Sequence, residues 1–274
     1  MSSPGRYRLI RLGLLSAVVG GLACVVVAAP VSAFVSRRTH VTNVPVDGPV
    51  TFGSSTATCP TGQHVLFGGF DGGYTGMRRT ASNRWTVGAF NLGIPAASAP
   101  FSLSSFVYCG YGPVSSKATS TVTIRYRSPG RASGSATARC PAGTVVVAGG
   151  FATTPHSVAF VTGLERIAPD LWRVSAYLPI AFTGHTVVAL TSIAYCGPGP
   201  APKLVSQTID AVSGGTARAT CRVGTTLVFG GAIVKGSAFE TTFLKTLRAE
   251  TRSIWSVGGV AGQGGKLTAL AYCR

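Results

Sequence analysis

The sequence predicts an all-β protein assembled from three repeats. A cysteine-led motif recurs at Cys59, Cys140 and Cys221, 81 residues apart each time. Apolar residues alternate with a period of two, as on a half-buried strand. No segment beyond residue 33 carries the 3.6-residue stripe of an amphipathic helix.

The N-terminal segment is read separately from these repeats. Arg6, Arg8 and Arg11 precede an uncharged run from Leu12 to Val35 that contains the small-residue triplet Val31-Ser32-Ala33. Those are the parts of a secretory signal peptide over residues 1–33, and Pro30 opposes the continuous helix an uncleaved anchor would need. Removal of that segment takes Cys24 with it and lowers the net charge of +17 by its three arginines. Residues 34–46, which include Arg37 and Arg38, read as a basic N-terminal arm. The repeats then span 47–113, 114–200 and 201–274.

Each repeat opens alike, with Ala57-Thr-Cys-Pro-Thr-Gly, Ala138-Arg-Cys-Pro-Ala-Gly and Ala219-Thr-Cys-Arg-Val-Gly. A short apolar run follows and stops at a Gly-Gly pair, beginning at Gly68, Gly149 or Gly230. This is the pattern of a buried strand that ends in a turn or a bulge. A hairpin is expected around Trp85, Trp172 and Trp255, with turns at Ser82-Asn83, Ala168-Pro169-Asp170 and Ala249–Ser253. One Trp per unit, each followed by x-Val, reads as a core anchor rather than a sugar platform. A closing strand ends in Tyr108-Cys109, Tyr195-Cys196 and Tyr272-Cys273. The count is four or five strands per repeat.

Six cysteines in an oxidising compartment read as three disulfides. The order of elements favours Cys59–Cys109, Cys140–Cys196 and Cys221–Cys273. Cross-repeat pairing stays open at this point. Each such bridge closes a loop of about 50 residues, worth about 4 kcal/mol on the chain-entropy view. In the closing strands Cys faces one way and Tyr the other, and both faces are apolar. Cover on both sides is therefore expected, which favours a compact pseudo-threefold arrangement, β-prism-like or three small β units, over separate beads. Gly197-Pro-Gly-Pro-Ala-Pro202 is the one linker-like stretch that argues the other way.

The pattern Cys-Pro-x-Gly-x-x-Val-x-x-Gly-Gly, then Trp-x-Val, then Tyr-Cys resembles a disulfide-linked module that recurs in secreted proteins of actinomycetes and other bacteria. The resemblance runs from Ala57 to Cys273 and implies secretion and a β unit, without an activity. The Cys-Pro-x-Gly opening is also similar to that of the vitelline membrane outer layer family, which implies a threefold β-prism. The third copy departs from both, with Arg222 where the proline stands.

Catalytic chemistry finds little support. The sequence has no Gly-x-Ser-x-Gly elbow for a serine hydrolase. Its seven acids do not recur at a repeated position, and Glu165 with Asp170 or Glu240 with Glu250 are the nearest carboxylate pairs. His40, His64, His156 and His185 lack metal-ligand spacing, and Asp71 in a glycine-rich turn is a poor calcium cage alone. No cofactor and no metal site is expected.

Charge carries the functional expectation. Lys and Arg number 24 against seven Asp and Glu. The anion-binding candidates are Arg78, Arg79, Arg84, Arg125, Arg127, Arg131, Arg248 and Arg252, which flank the hairpins and one strand. Such a surplus concentrates anionic polymers at the surface. The expected partner is an anionic cell-wall polymer or polysaccharide, met by a non-enzymatic secreted protein. An extracellular protein partner, with the repeats as scaffold, is the second reading, and a hydrolase with an unrecognised site the third. No specific nucleic acid is expected, because no recognition motif accompanies the charge. Membrane attachment is expected only through an uncleaved signal.

Overall fold

The computed structural model describes residues 34–46, 50–72, 75–92, 100–126, 132–155, 157, 159–178, 187–236 and 242–274. Residues 1–33, read above as a signal peptide, and the candidates His156, His185, Arg127, Arg131 and Glu240 lie outside the described residues. Repeat 1 supplies β1 (Ser36–Val44), β2 (Val50–Thr58), β3 (His64–Asp71), β4 (Gly76–Ala81), β5 (Arg84–Leu92) and β6 (Phe101–Gly110). Repeat 2 supplies β7 (Ser116–Arg125), β8 (Ser133–Arg139), β9 (Val145–Thr153), β10 (Phe160–Ala168), β11 (Leu171–Tyr177) and β12 (Val187–Gly197). Repeat 3 supplies β13 (Lys203–Asp210), β14 (Gly215–Thr220), β15 (Leu227–Lys235), β16 (Phe243–Ala249), β17 (Ile254–Val260) and β18 (Lys266–Cys273).

All regular elements among the described residues are strands, so the all-β class holds, but each repeat has six rather than four or five. The strands that escape the sequence reading are β2, β8 and β14. They bury mainly alanines (Ala57, Ala136, Ala138, Ala217, Ala219), so their alternation carries no large apolar signal. The presumed basic arm is also a strand. β1 pairs with β6 along its whole length, from Ser36↔Cys109 to Val44↔Phe101. Its basic residues disguise it, because an edge strand tolerates exposed charge. Phe34 pins its start, with its ring 5.0 Å from that of Tyr108.

The eighteen strands form three six-stranded sheets, ordered β1-β6-β3-β16-β17-β14, β13-β18-β15-β10-β11-β8 and β2-β5-β4-β9-β12-β7. Every sheet therefore takes three strands from each of two repeats, and every repeat spans two sheets. The result is a three-sided prism closed cyclically: repeat 1 with 3, 3 with 2, and 2 with 1. The repeats are not separable beads. Each disulfide ties together the two sheets that its own repeat enters: Cys59–Cys109, Cys140–Cys196 and Cys221–Cys273.

The Gly-Gly pair explains how the prism closes. A Cβ on the first glycine would strike the indole, 2.3 Å away at Gly68 (Trp85), 2.0 Å at Gly149 (Trp172) and 2.0 Å at Gly230 (Trp255). The three indoles are 0%, 0% and 1% exposed, so they anchor the core and are closed to ligands. Trp172 and Trp255 donate their indole N–H to the carbonyls of Gly150 and Gly231. A Cβ on the second glycine would strike the backbone of the neighbouring repeat. It would lie 2.0 Å from the Leu247 carbonyl at Gly69, 2.6 Å from that of Met77 at Gly150, and 2.2 Å from that of Leu164 at Gly231. Those approaches accompany the short inter-repeat pairings β3–β16, β9–β4 and β15–β10. One glycine admits the tryptophan; the other admits the next repeat.

The tyrosine of each Tyr-Cys pair fastens the same junctions. Tyr108 Oη accepts from the Ala249 N–H (2.7 Å) and donates to the Ala249 carbonyl (3.3 Å). Tyr195 accepts from the Arg79 N–H (2.6 Å) and Tyr272 from the Arg166 N–H (2.8 Å). Burial pushes the phenols of Tyr195 and Tyr272 up to about 12 and that of Tyr108 higher still, against the pull of these hydrogen bonds and nearby arginines.

Candidate functional site

Antiparallel pairing throughout gives the prism two unlike ends. Every odd-numbered strand starts at one end, and every even-numbered strand finishes there. Fifteen of the nineteen described Arg and Lys residues lie in the strand halves and turns at that end, with only three of the five described acids. Each of those acids is held by one cation: Glu165 by Arg173 (2.6 Å), Glu250 by Arg218 (2.9 Å), and Asp170 by Arg139. The surplus there has no acidic partner among the described residues. Among the described residues, the far end carries Arg125, Lys235, Lys245 and Lys266 with Asp71 and Asp210, and Asp210 pairs with Lys266.

The candidates read from the sequence divide accordingly. Arg78, Arg84 and Arg252 are exposed at the basic end, and Arg248 is half-buried there. Arg125 stands at the opposite end and joins no patch with them. Arg79 is a fastener rather than a free anion binder. Its guanidinium covers the Tyr195 ring at 4.7 Å and donates to the hydroxyl and carbonyl of Ser115 in the linker between repeats 1 and 2. Arg166 repeats the arrangement over Tyr272, also at 4.7 Å, and donates to the Pro202 carbonyl. In the third copy Ala249 takes that place, and Arg37 reaches in from β1 toward the Ala249 carbonyl. Burial lowers Arg79 and Arg166 from the ordinary guanidinium value, with the facing tyrosine opposing the shift.

Exposed Arg38, Lys117, Lys203 and Arg222 complete the basic end. Arg222 carried a signal in the sequence, as the residue that replaces Pro60 and Pro141 in the third copy. Lys117 and Lys203 lie just past a Tyr-Cys pair and its linker. Their convergence needed the prism.

At the centre of this end, where β3, β9 and β15 lie against one another, is a recess of about 600 Å³ lined from all three repeats. Leu66, Val147 and Val228 are equivalent, 81 residues apart, and line it. Each is the extra residue of a β-bulge, passed over between Val65 and Phe67, Val146 and Ala148, and Leu227 and Phe229. A bulge re-aims a side chain without ending the sheet. The two linkers form walls through Pro113, Val114, Pro198 and Pro200, so the linker-like stretch 197–202 serves as part of a rim. Arg274 breaks the symmetry. Gly110 and Gly197 occupy the equivalent positions, whereas the Arg274 side chain reaches across to donate to the Pro200 carbonyl. His64 also faces the recess; burial first, and then the charge of Arg79, lower its imidazole from the ordinary value.

Among the described residues, the acid and histidine candidates are engaged separately. Glu165 and Asp170 each face an arginine instead of one another. Asp71 accepts from the Thr246 hydroxyl at 2.8 Å. His40 Nδ1 lies 3.1 Å from Ser55 Oγ, yet Ser55 is 1% exposed and its hydroxyl donates to the His40 carbonyl, so the pair joins β1 to β2. No group of three His, Cys, Asp or Glu able to hold a metal occurs among the described residues.

No protein-family model matches the chain, and no match to a curated protein is found.

Proposed function

We propose that the chain is a secreted, non-enzymatic binding protein whose arginine-rich end engages an anionic polysaccharide or cell-wall polymer. The observation that carries the reading is the polarity of charge along the prism: cations without acidic partners gather at one end. Opposed charges on a polymer, spaced along a flexible chain, meet such a surface at several points at once, so modest contacts sum through effective concentration. Three disulfides fit an oxidising environment, and export supplies both that environment and the polymer.

Retention on purified wall polymer tests the proposal. Exposed charge pairs are screened beyond about 8 Å at physiological salt and about 3 Å at 1 M. Binding should be strong at low ionic strength and released by salt. Retention that ignores salt would instead favour a protein partner held by apolar contacts, and absence of retention at low salt would refute the reading.

A further inference from the structure

We propose that the axial recess is a binding site for one amphiphile, a molecule with an aliphatic or aromatic body and a single acidic head group. The inference concerns a different ligand from the polymer and stands on the recess alone. Its volume of about 600 Å³ falls within the range of small-molecule sites. Three bulged apolar side chains, Leu66, Val147 and Val228, form its lining around the axis, and Leu66 and Val147 are only partly buried. Tyr111 and Val114 are 56% and 47% exposed at its mouth. An apolar body would remove this surface from water, which favours its binding.

The head group follows from charge. Among the described residues, no Asp or Glu side chain lines the recess, whereas the Arg274 guanidinium does. Its Nε is buried without a hydrogen-bond partner, and so is Nη1 of nearby Arg166. A buried guanidinium N–H left unpaired is costly, and a carboxylate or phosphate oxygen is its strongest partner. The prolines of the two linkers hold the walls in place, so little ordering is needed on binding. The repeat thus builds the apolar lining three times and the cation once, which suits a ligand with one charged end.

Titration of the full chain with dodecanoate, dodecyl phosphate and neutral dodecanol, each below its aggregation limit, tests the proposal. One equivalent of either acid should bind, and dodecanol should bind about tenfold more weakly or worse, since a charge-assisted hydrogen bond is worth about 1.5–3 kcal/mol. Preference between the two acids assigns the head group as carboxylate or phosphate. Val147→Trp should fill the recess and abolish binding while leaving polymer retention intact; Val228→Phe serves as a second filling variant if the first does not fold. Arg274→Gln should remove the advantage of the acids over dodecanol. Binding of several equivalents, or binding unchanged in the filled variants, would overturn the site. Equal affinity for acids and dodecanol would overturn the assigned head group. Loss of polymer retention in the wild type, with amphiphile binding kept, would refute only the polymer reading.

Discussion

Gly231→Ala is the sharpest test of how the prism closes. The new Cβ would lie 2.2 Å from the Leu164 carbonyl oxygen, which is backbone and cannot swing aside. Ordinary contact requires roughly 1 Å more, so β10 and β15 must part. Their pairing consists of Gly163↔Ile233 and Leu164↔Ala232, and the Tyr272 latch to Arg166 lies beside it. Overpacking costs about 1–3 kcal/mol. Weakening of the local hydrogen bonds adds about 1 kcal/mol for each bond lost. The expected destabilisation is about 3–5 kcal/mol, a large part of the stability of an ordinary domain. At about 2–4 °C per kcal/mol for a chain of this size, the melting temperature should fall by roughly 6–20 °C. Gly163→Ala is the control on the facing strand, where the nearest atom is the Ser175 Cβ at 3.3 Å. It should cost less than about 1 kcal/mol, since alanine also restricts the unfolded chain. Urea unfolding followed by tryptophan fluorescence measures both. Equal stability of the two variants would refute the assignment of the second glycine to inter-repeat contact.

Other consequences are open to measurement. Removing one bridge by Cys140→Ser with Cys196→Ser should cost about 4 kcal/mol, read as a lower urea midpoint against the intact chain. Tyr195→Phe leaves the Arg79 N–H without its acceptor and should cost about 1–3 kcal/mol, whereas Tyr111→Phe, at an exposed site, should cost far less. The raised phenols make stability depend on alkali: the neutral form is favoured in the fold, so this stability is complete below pH 10 and declines as pH rises toward about 12. Urea midpoints between pH 9 and pH 11 should fall more steeply in the wild type than in Tyr195→Phe. Tryptophan emission should be blue-shifted and resist iodide quenching, since all three indoles are buried; ready quenching would reopen the sugar-platform reading.

Much of this architecture was legible in the chain because repetition exposes position. The spacing of Cys59, Cys140 and Cys221 located the repeats, and the order of cysteines pointed to the bridges that form. The repeated tryptophan signalled a core role, since a ligand platform has no need to occur at the same place in every unit. What stayed hidden was the exchange of strands between sheets. Gly-Gly marks a close approach, but nothing local says that Gly68 meets an indole and Gly69 meets Leu247 from another repeat. β2, β8 and β14 were missed because alanine fills a tight interior as well as a larger residue would, without leaving a hydrophobic pattern. At the candidate site, the excess of arginine was evident but its distribution was not. Arg79 and Arg125 belonged to the same expected set, yet one braces a tyrosine and the other lies at the far end. The apolar recess was invisible because a bulge is a property of register. Leu66 looks like any residue of a buried run until its neighbours Val65 and Phe67 are seen to face Cys109 and Tyr108 with nothing opposite it.

Charge removal at one end of the prism at a time tests the central claim most directly. Arg78→Gln, Arg84→Gln and Arg252→Gln together remove three exposed charges from the basic end, and Arg125→Gln, Lys235→Gln and Lys245→Gln remove the same charge from the other. All six side chains are exposed or lie outside the core, so both triple variants should fold. Retention on wall polymer at low salt should collapse in the first and persist in the second. Equal losses in the two would mean that net charge alone governs binding, and the polarity of the prism would then have no part in it.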